Sequence, residues 1–359
     1  MQFSSEEKSY IWLDSFSLSE SEKRKLLALS GSAVGLVKNL GKVKDCVIGF
    51  GKEKVYEQMQ RSLSDNGAYF SAVLADLEQK GIEPIPYPAE DYPSSWRALS
   101  DAPLVLYAKG NRALLRKKTF AIVGSRRTPN QALKIGEKIA ESVSWHFPIL
   151  TGTADGGDSS AIEGCLKGSG EVVCLLAGGF GSIPTGNYPL LQKALGKGLF
   201  LSAHTYDVPV RNFSYEQRNK LLSALCCGLL VLGAGEKSGS LITAKYAKEY
   251  EKPVFALPYP PLNSAGGGCN GLIKDGARLT ETDEDVLNYY GLEVKKKAEI
   301  ALTEQEEKVY SYLKENAEGH LSEIAVAVAI PAFRVTAVLS ALEMKGLVVK
   351  LGGNRFSAI

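Results

Sequence analysis

TFAIVGSRRTPNQALKIGEKIAESVSW, residues 119 to 145, sets the architecture expected for this chain. Its first six residues form an apolar run of the kind found in strands buried on both faces. A serine and two arginines follow, and a segment of helical periodicity begins near Asn130. A buried strand that leads through a short turn into a helix is half of a βαβ unit, so the stretch predicts a parallel sheet.

The same pattern recurs between residues 81 and 292. Five more apolar runs lie there, at 147–152, 171–179, 199–204, 228–235 and 253–258. Helix candidates fall between them, including YPLLQKALGKG, YEQRNKLLSALC and SLITAKYAKEYEK. Because each right-handed crossover lays a helix over the sheet, residues 81–292 are predicted to form a Rossmann-like, doubly wound α/β domain with a mostly parallel sheet.

Two smaller regions flank this domain. Residues 1–80 show helical periodicity in SEKRKLLALSGSAVGLVKNL and in VYEQMQRSLSDNGAYFSAVLADLEQKG, and they predict a small helical domain. A charged linker is predicted at 293–302. Residues 303–359 then give three helix candidates followed by LVVKL, a GGN turn and RFSAI, an order that predicts a winged-helix domain.

Composition excludes several classes of protein. The 359 residues are 45% hydrophobic and 23% charged, and no apolar run approaches the roughly 18 residues of a membrane span. The polar start MQFSSEEKSY lacks the apolar stretch of a signal peptide, so we expect a cytoplasmic protein without a membrane partner. Six cysteines without CxxC spacing and three histidines without ligand spacing predict reduced core thiols, no metal and no cofactor.

The loops that follow the strands are the expected ligand site, since open parallel sheets bind ligands beyond the carboxyl ends of their strands. GSRRTPN, TGTADGGD, RNFSYEQRNK and GAGEKSGS are rich in glycine, serine, asparagine and basic residues. Arginines that neutralise phosphate, helix-start amides that receive it and aromatic rings that stack on bases are the components of single-strand binding. With a net charge of only +2, such a surface must come from local clustering.

A dinucleotide site is not expected. It requires G-x-G-x-x-G after the first strand, but Gly124 is followed by Ser125 and Arg126 with no second glycine nearby. The phosphoribohydrolases that resemble lysine decarboxylases share this type of sheet and use a glutamate in a glycine-rich motif. Here Thr243, Ala244 and Lys245 stand where a carboxylate would be sought. We therefore expect no enzyme, with this hydrolase as the alternative.

Several of these candidate residues could have a purely structural role instead of a role in binding. Arg126 could be a solvated side chain, Phe213 and Tyr215 could pack at a helix entry, and Arg218 could brace neighbouring carbonyls. Ser238 could serve only as a helix cap, although capping and anion binding are compatible. A third possibility is a transcription regulator built on the winged helix.

Together the motifs resemble the DNA-processing protein A (DprA/Smf) family, the single-strand DNA binding proteins of natural transformation. The matching stretches occur in the family's order over about residues 92–280: YPSSWRALSDAPLVLYAKGN, FAIVGSRRTPN, ILTGTADGGDSSAIEGCL, YEQRNKLLSALCCGLLVLGAGEKSGSLITAKYA and GGGCNGLIKDGARL. Members often carry a sterile-alpha-motif-like N-terminal domain and a C-terminal winged helix, and the flanking regions of this chain fit that arrangement.

The resemblance implies binding of single-stranded DNA through the Rossmann-like domain and a homodimer formed through that domain. It also implies protection of incoming strands and loading of a RecA-type recombinase. The DNA-binding residues that carry over are Gly124, Ser125, Arg126, Arg127, Arg211, Phe213, Arg218, Asn219, Lys220, Lys237, Ser238, Gly239 and Ser240.

The sequence departs from the family at several positions. Asp155, Gly157 and Ile162 stand where the family usually has arginine, isoleucine and histidine, so no further cationic contact is predicted there. Lys220 replaces an arginine, which keeps the charge and loses bidentate geometry. The presumed recognition helix, PAFRVTAVLSALEMKG, is mostly apolar, so we expect it to contact protein rather than to read duplex DNA.

Overall fold

The structure is a computed structural model that describes residues 3–65, 67–183, 186, 188–293 and 302–358. It forms two compact units, Met1–Val294 and Lys295–Ile359. The linker predicted at 293–302 falls almost entirely on residues outside the described ranges, and the domain boundaries at 80 and 292 stay predictions.

A nine-stranded sheet forms the centre of the first unit, in the order β1-β2-β6-β5-β4-β3-β7-β8-β9. Neighbouring strands from β6 to β9 in this order are parallel, and β2 is antiparallel to both β1 and β6. The predicted mostly parallel sheet is therefore confirmed. The strands are β1 Glu83–Pro86, β2 Val105–Gly110, β3 Thr119–Val123, β4 Ile149–Thr151, β5 Val172–Leu175, β6 Leu199–Ser202, β7 Cys226–Val231, β8 Val254–Ala256 and β9 Arg278–Leu279.

All six strands predicted from apolar runs are present, as β3 to β8. Three further strands were not predicted. β1 carries prolines at positions 84 and 86, a composition that argues against a strand except at a sheet edge, where β1 lies. β9 has only two residues, and both are exposed, so it gives no apolar run.

Helices cover both faces of the sheet. Phe120 and Ile122 of β3 are buried against one layer of helices, and Ala121 and Val123 are buried against the other. This alternation confirms the doubly wound architecture. The first layer contains α8 Asn130–Val143, α9 Gly157–Lys167, α10 Tyr188–Leu195 and α14 Asp283–Tyr289, and the second contains α7 Ser94–Arg97, α11 Asn212–Leu225, α12 Gly239–Glu249 and α13 Gly267–Lys274.

The N-terminal region is helical, as predicted. Its first two helices begin at capping boxes, in which Ser4 pairs with Glu7 and Ser19 with Glu22. Trp12 and Met59 are buried in a core that belongs largely to this region. The helices are α1 Ser5–Asp14, α2 Glu20–Ser30, α3 Ala33–Lys38, α4 Lys44–Gly49, α5 Glu53–Ser64 and α6 Ala68–Gln79.

A buried ionic network joins this helical region to the antiparallel edge of the sheet. Lys23 Nζ lies 2.5 Å from Asp14 Oδ1, and the Tyr107 hydroxyl donates to Asp14 Oδ2 at 2.6 Å. The Leu104 amide donates to Glu20 Oε2 at 2.9 Å. Burial alone would lower the pKa of the Lys23 ammonium, but Asp14 and Glu20 raise it above its usual value. Lys23 therefore stays charged and compensates both carboxylates.

The second unit has the order of a winged helix. The three predicted helices and the predicted hairpin are present, and a short strand, β10, was not predicted. The three strands form an antiparallel sheet in the order β10-β12-β11. The elements are α15 Glu304–Asn316, β10 Glu318–His320, α16 Leu321–Ala327, α17 Ala332–Met344, β11 Val348–Lys350 and β12 Arg355–Ala358.

Within the described ranges, no single helix is long and apolar enough to cross a membrane. α16 and α17 reach the required length and composition only as a pair, which is bent by 106°.

The start of α9 lies directly against the turn that follows β3. A Cβ added to Gly157 would lie 2.3 Å from the Cα of Gly124 and 2.5 Å from its backbone nitrogen. Neither backbone can retreat without disturbing β3 or α9. In this chain the close approach leaves no room for a side chain at position 157 unless one backbone shifts, and it brings two loops of the sheet's carboxyl edge together.

Gly157→Ala should destabilise the protein by about 1–3 kcal/mol, because the added methyl group would meet backbone atoms. Urea unfolding of purified protein measures this. Gly271→Ala is the matched control, since a Cβ on this glycine of α13 would have no atom within 4 Å. It should leave stability unchanged or raise it by up to about 1 kcal/mol. Equal stabilities of the two variants would contradict the assigned contact.

Candidate functional site

A cavity of about 340 Å³ opens at the carboxyl edge of the sheet. The loop after β3, the loop after β4, one face of α11 and the start of α12 form its walls. We call it the rim cavity; it is lined by Val123, Gly124, Ser125, Arg126, Arg127, Ala154, Asp158, Tyr215, Arg218, Asn219, Ser238, Gly239, Ser240 and Thr243.

Nine of the thirteen predicted site residues line the rim cavity. They are Gly124, Ser125, Arg126, Arg127, Arg218, Asn219, Ser238, Gly239 and Ser240. The sequence separates them into three segments, and the sheet brings the three together because its parallel strands end at one edge. Their role in DNA binding remains a prediction.

The other four predicted residues do not line the rim cavity. Lys220 points to Asp101 and forms an ion pair of 2.6 Å with it. Arg211 is the exposed N-cap residue of α11, and Phe213, in its first turn, is 62% exposed. Lys237 is exposed immediately before Ser238. Three of the four thus remain available on the surface near the cavity segments, whereas Lys220 is engaged.

Arg126 is held beside the cavity by Tyr215. Its Nη2 donates to the Tyr215 hydroxyl at 3.3 Å, and its Cζ lies 6.0 Å from the centre of the tyrosine ring. Tyr215 was not among the thirteen predicted residues. A signal for it was present, since positions 215, 218 and 219 share one face of a helix. The tyrosine side chain thus orients an exposed cation of the cavity wall.

The start of α12 supplies backbone donors. Ser238 is its N-cap and accepts a hydrogen bond from the Ser240 amide at 3.3 Å. Asn219 Nδ2 donates to the Gly239 carbonyl at 3.3 Å and fixes α11 against this turn. A Cβ on Gly239 would have no atom within 4 Å, so the helix start is open. The partial positive charge of this helix end favours an anion in the cavity.

Arg218 and Asp158 form a buried ion pair in the cavity wall. Arg218 is only 9% exposed, and its Nη1 lies 3.8 Å from Asp158 Oδ2 and donates to the Leu175 carbonyl at 3.2 Å. In the described part of the chain, Arg218 Nε has no hydrogen-bond partner. Gly152 makes room for the pair, since a Cβ there would lie 1.7 Å from Arg218 Nη1.

Asp158 was not among the predicted site residues. Its negative charge is compensated by Arg218. Burial raises the pKa of its carboxyl, and the Arg218 guanidinium and the Ala154 amide offset part of that rise. The Ala154 amide donates to Asp158 Oδ2 at 3.3 Å. The pair therefore fixes the position of Arg218 while removing part of its net charge from the cavity.

No metal site accompanies the cavity in the described ranges, where no group of three or more His, Cys, Asp or Glu side chains could hold an ion. The rim cavity offers guanidinium groups, helix-start amides and an aromatic ring. These groups bind anions and stack on planar rings.

A doubly wound sheet with a cationic, amide-lined cavity at its carboxyl edge defines a class of Rossmann-like α/β proteins. Within that class, the chain belongs to the DNA recombination-mediator protein A family, whose model matches residues 83–291. The resemblance drawn from the sequence motifs is thereby confirmed. A second family model, the sugar-specific transcriptional regulator TrmB, matches residues 297–357, in the winged helix.

Individual relatives agree with this assignment. The DNA processing protein DprA of Streptococcus pneumoniae is 34% identical over 197 residues, which cover 55% of this chain and 70% of that protein. A crystal structure of DprA from the same species superposes with a TM-score of 0.67 at 28% identity, over 80% of this chain and 98% of that one. A structure of DprA from Helicobacter pylori, reported for its single-stranded DNA binding mode, gives a TM-score of 0.53 at 29% identity, over 58% and 95%.

Arg218→Met should destabilise the protein by about 3–5 kcal/mol, because it leaves the Asp158 carboxylate buried without a cationic partner. The double variant Asp158→Asn/Arg218→Met should be destabilised less than Arg218→Met alone, since no buried charge remains. Urea unfolding of the two single variants and the double variant measures the coupling. Simple addition of the two single destabilisations would show that the side chains do not interact.

Proposed function

We propose that this protein binds single-stranded DNA through the rim cavity, protects strands that enter the cell and passes them to a RecA-type recombinase. The observation that carries the proposal is the convergence of Arg126, Arg127 and Arg218 on the open start of α12. The Helicobacter pylori relative, whose structure was reported for its single-stranded DNA binding mode, supports it.

The size and chemistry of the rim cavity favour an unpaired strand. Its volume of about 340 Å³ is near the lower end of the ~300–1,000 Å³ range of small-ligand sites. Such a space accommodates a unit of nucleotide size, not a paired helix. Arginines and backbone amides contact phosphates whatever the sequence, and the Tyr215 ring can stack on any base. Binding should therefore depend strongly on salt and weakly on sequence.

The cavity chemistry favours binding without catalysis. In the described part of the chain, Asp158 is the one carboxylate that lines the rim cavity, and it is buried against Arg218. A carboxylate held in this way is poorly placed to accept a proton from a substrate. Thr243, which also lines the cavity, offers only a hydroxyl. These features favour a binding protein over the phosphoribohydrolase alternative.

Arg126→Glu should weaken binding of oligo-dT about tenfold or more at low salt, because it removes a cation from a phosphate and adds repulsion. The slope of log K against log salt should fall in magnitude by ~0.7 for each phosphate of a single strand that is no longer neutralised. Fluorescence anisotropy at two or more salt concentrations measures both quantities. Arg116→Glu is the matched control, since this exposed arginine precedes β3 whereas Arg126 follows it.

The control variant should bind within about twofold of the wild-type protein, because its charge change lies at the opposite edge of the sheet. An Arg126→Glu protein that binds oligo-dT as tightly as the wild type would refute the rim cavity as the DNA site. Equally weakened binding by both variants would point to general electrostatic attraction instead.

We further propose that the protein forms a homodimer through the Rossmann-like domain. β9 ends the sheet with a free edge, and such edges are common sites of strand pairing or apolar contact. Leu279 on β9 is 49% exposed, and Leu262 in the loop after β8 is fully exposed. An exposed leucine on the edge strand, with a second exposed leucine in the loop after β8, favours this part of the domain as the surface that meets a second copy.

Leu279→Glu should convert a dimer to a monomer, because a carboxylate would be buried at the interface without a partner. Light scattering coupled to size-exclusion chromatography measures the molar mass. Leu29→Glu, at a 54% exposed leucine of the N-terminal helical region, is the control and should leave the mass unchanged. A dimer that persists in the Leu279→Glu protein would place the interface elsewhere.

We also propose that the winged helix contacts protein. α17 exposes Phe333, which is 73% exposed, and α16 exposes Val326, which is 83% exposed. Apolar side chains at these positions suit a protein surface better than the phosphates and base edges of a duplex.

A further inference from the structure

An exposed acidic residue lies next to the wall of the rim cavity. Asp155 is exposed in the loop that joins β4 to α9. The residue before it, Ala154, lines the cavity. The residue after it, Gly156, packs against the turn after β3, since a Cβ there would lie 2.5 Å from the Ser125 carbonyl oxygen and 2.9 Å from the Arg126 Cα. The loop that contains Asp155 is thus fixed beside the backbone of Arg126.

In the described part of the chain, the Asp155 carboxylate takes part in no hydrogen bond or ion pair. The N-terminus of α9 receives no side-chain cap. The described ion pairs include Asp158, three residues further on, but not Asp155. The two acids of this loop therefore differ. Asp158 is buried and pairs with Arg218, whereas Asp155 is exposed next to a residue of the cavity wall.

We propose that Asp155 is an affinity-setting residue that weakens the hold of the rim cavity on phosphate. The proposal rests on the function proposed above and adds a regulating charge to it. Asp155 lies one residue from the cavity wall, well within the Debye length of about 10 Å at 0.1 M salt. Its repulsion therefore acts on any phosphate that Arg126 and the α12 amides hold. The cavity binds a strand less tightly than its donors alone would, and the strand stays transferable.

Asp155→Asn tests the proposal with a nearly isosteric change. Oligo-dT should bind about three- to tenfold more tightly at low salt, and the gain should shrink as salt rises and screens the charge. Asp155→Lys should tighten binding further and steepen the salt dependence by ~0.7, as for one more neutralised phosphate. Fluorescence anisotropy over a salt series, without divalent cations, measures both variants.

Glu163→Gln is the matched control. Glu163 is exposed on α9, the helix that follows the loop of Asp155, and it does not line the rim cavity. The Glu163→Gln variant loses the same charge at a greater distance from the cavity. Its affinity for oligo-dT should therefore stay within about twofold of the wild type. Thermal unfolding of all three variants separates a change in binding from a change in folding.

Two results would overturn the inference. An Asp155→Asn protein that binds oligo-dT as the wild type does would show that the carboxylate does not act on the site. Weaker binding by Asp155→Asn in added Mg²⁺ would show that Asp155 holds a cation that attracts the strand. If the wild-type protein failed to bind oligo-dT at all, the proposed function would fall, and this inference would fall with it.

Discussion

The contact between the backbones of Gly124 and Gly157 is the constraint on which the rim cavity depends. It seats the start of α9 against the turn after β3 and so brings the loops after β3 and β4 together. In this chain a side chain at either position would push the two loops apart. Such a shift would move the part of the cavity wall that Arg126 and Arg127 form.

Electrostatics inside the cavity follow from how each charge is compensated. Arg218 is buried, so its charge needs a partner, and Asp158 provides one at 3.8 Å. Arg126 is exposed and needs no partner; Tyr215 orients it without neutralising it. The cavity therefore combines one rigid, partly neutralised donor with one oriented, fully charged donor. A phosphate can replace water around the second without breaking a buried ion pair.

The N-terminal helical region shows how a polar network can join two parts of one unit. Asp14, Lys23 and Tyr107 are buried together, and the carboxylate accepts from both the ammonium and the hydroxyl. The pKa of the Tyr107 hydroxyl is raised by burial and by Asp14, so the hydroxyl remains a proton donor to the carboxylate. Apolar contacts alone would allow several orientations, whereas these directional bonds select one.

The amino-acid sequence by itself determined the parallel sheet, the helices on both faces and the loops that carry the site. Apolar runs such as residues 119–124 are stable in water only when both of their faces are buried. The family motifs identified nine of the cavity residues. Tertiary structure alone decided that Lys220 pairs with Asp101, that Arg218 is buried against Asp158 and that Asp155 stands outside the described ion pairs. A side chain's partner depends on which segments the sheet brings within a few ångströms of each other. The local sequence does not determine that distance, because the segments are far apart along the chain.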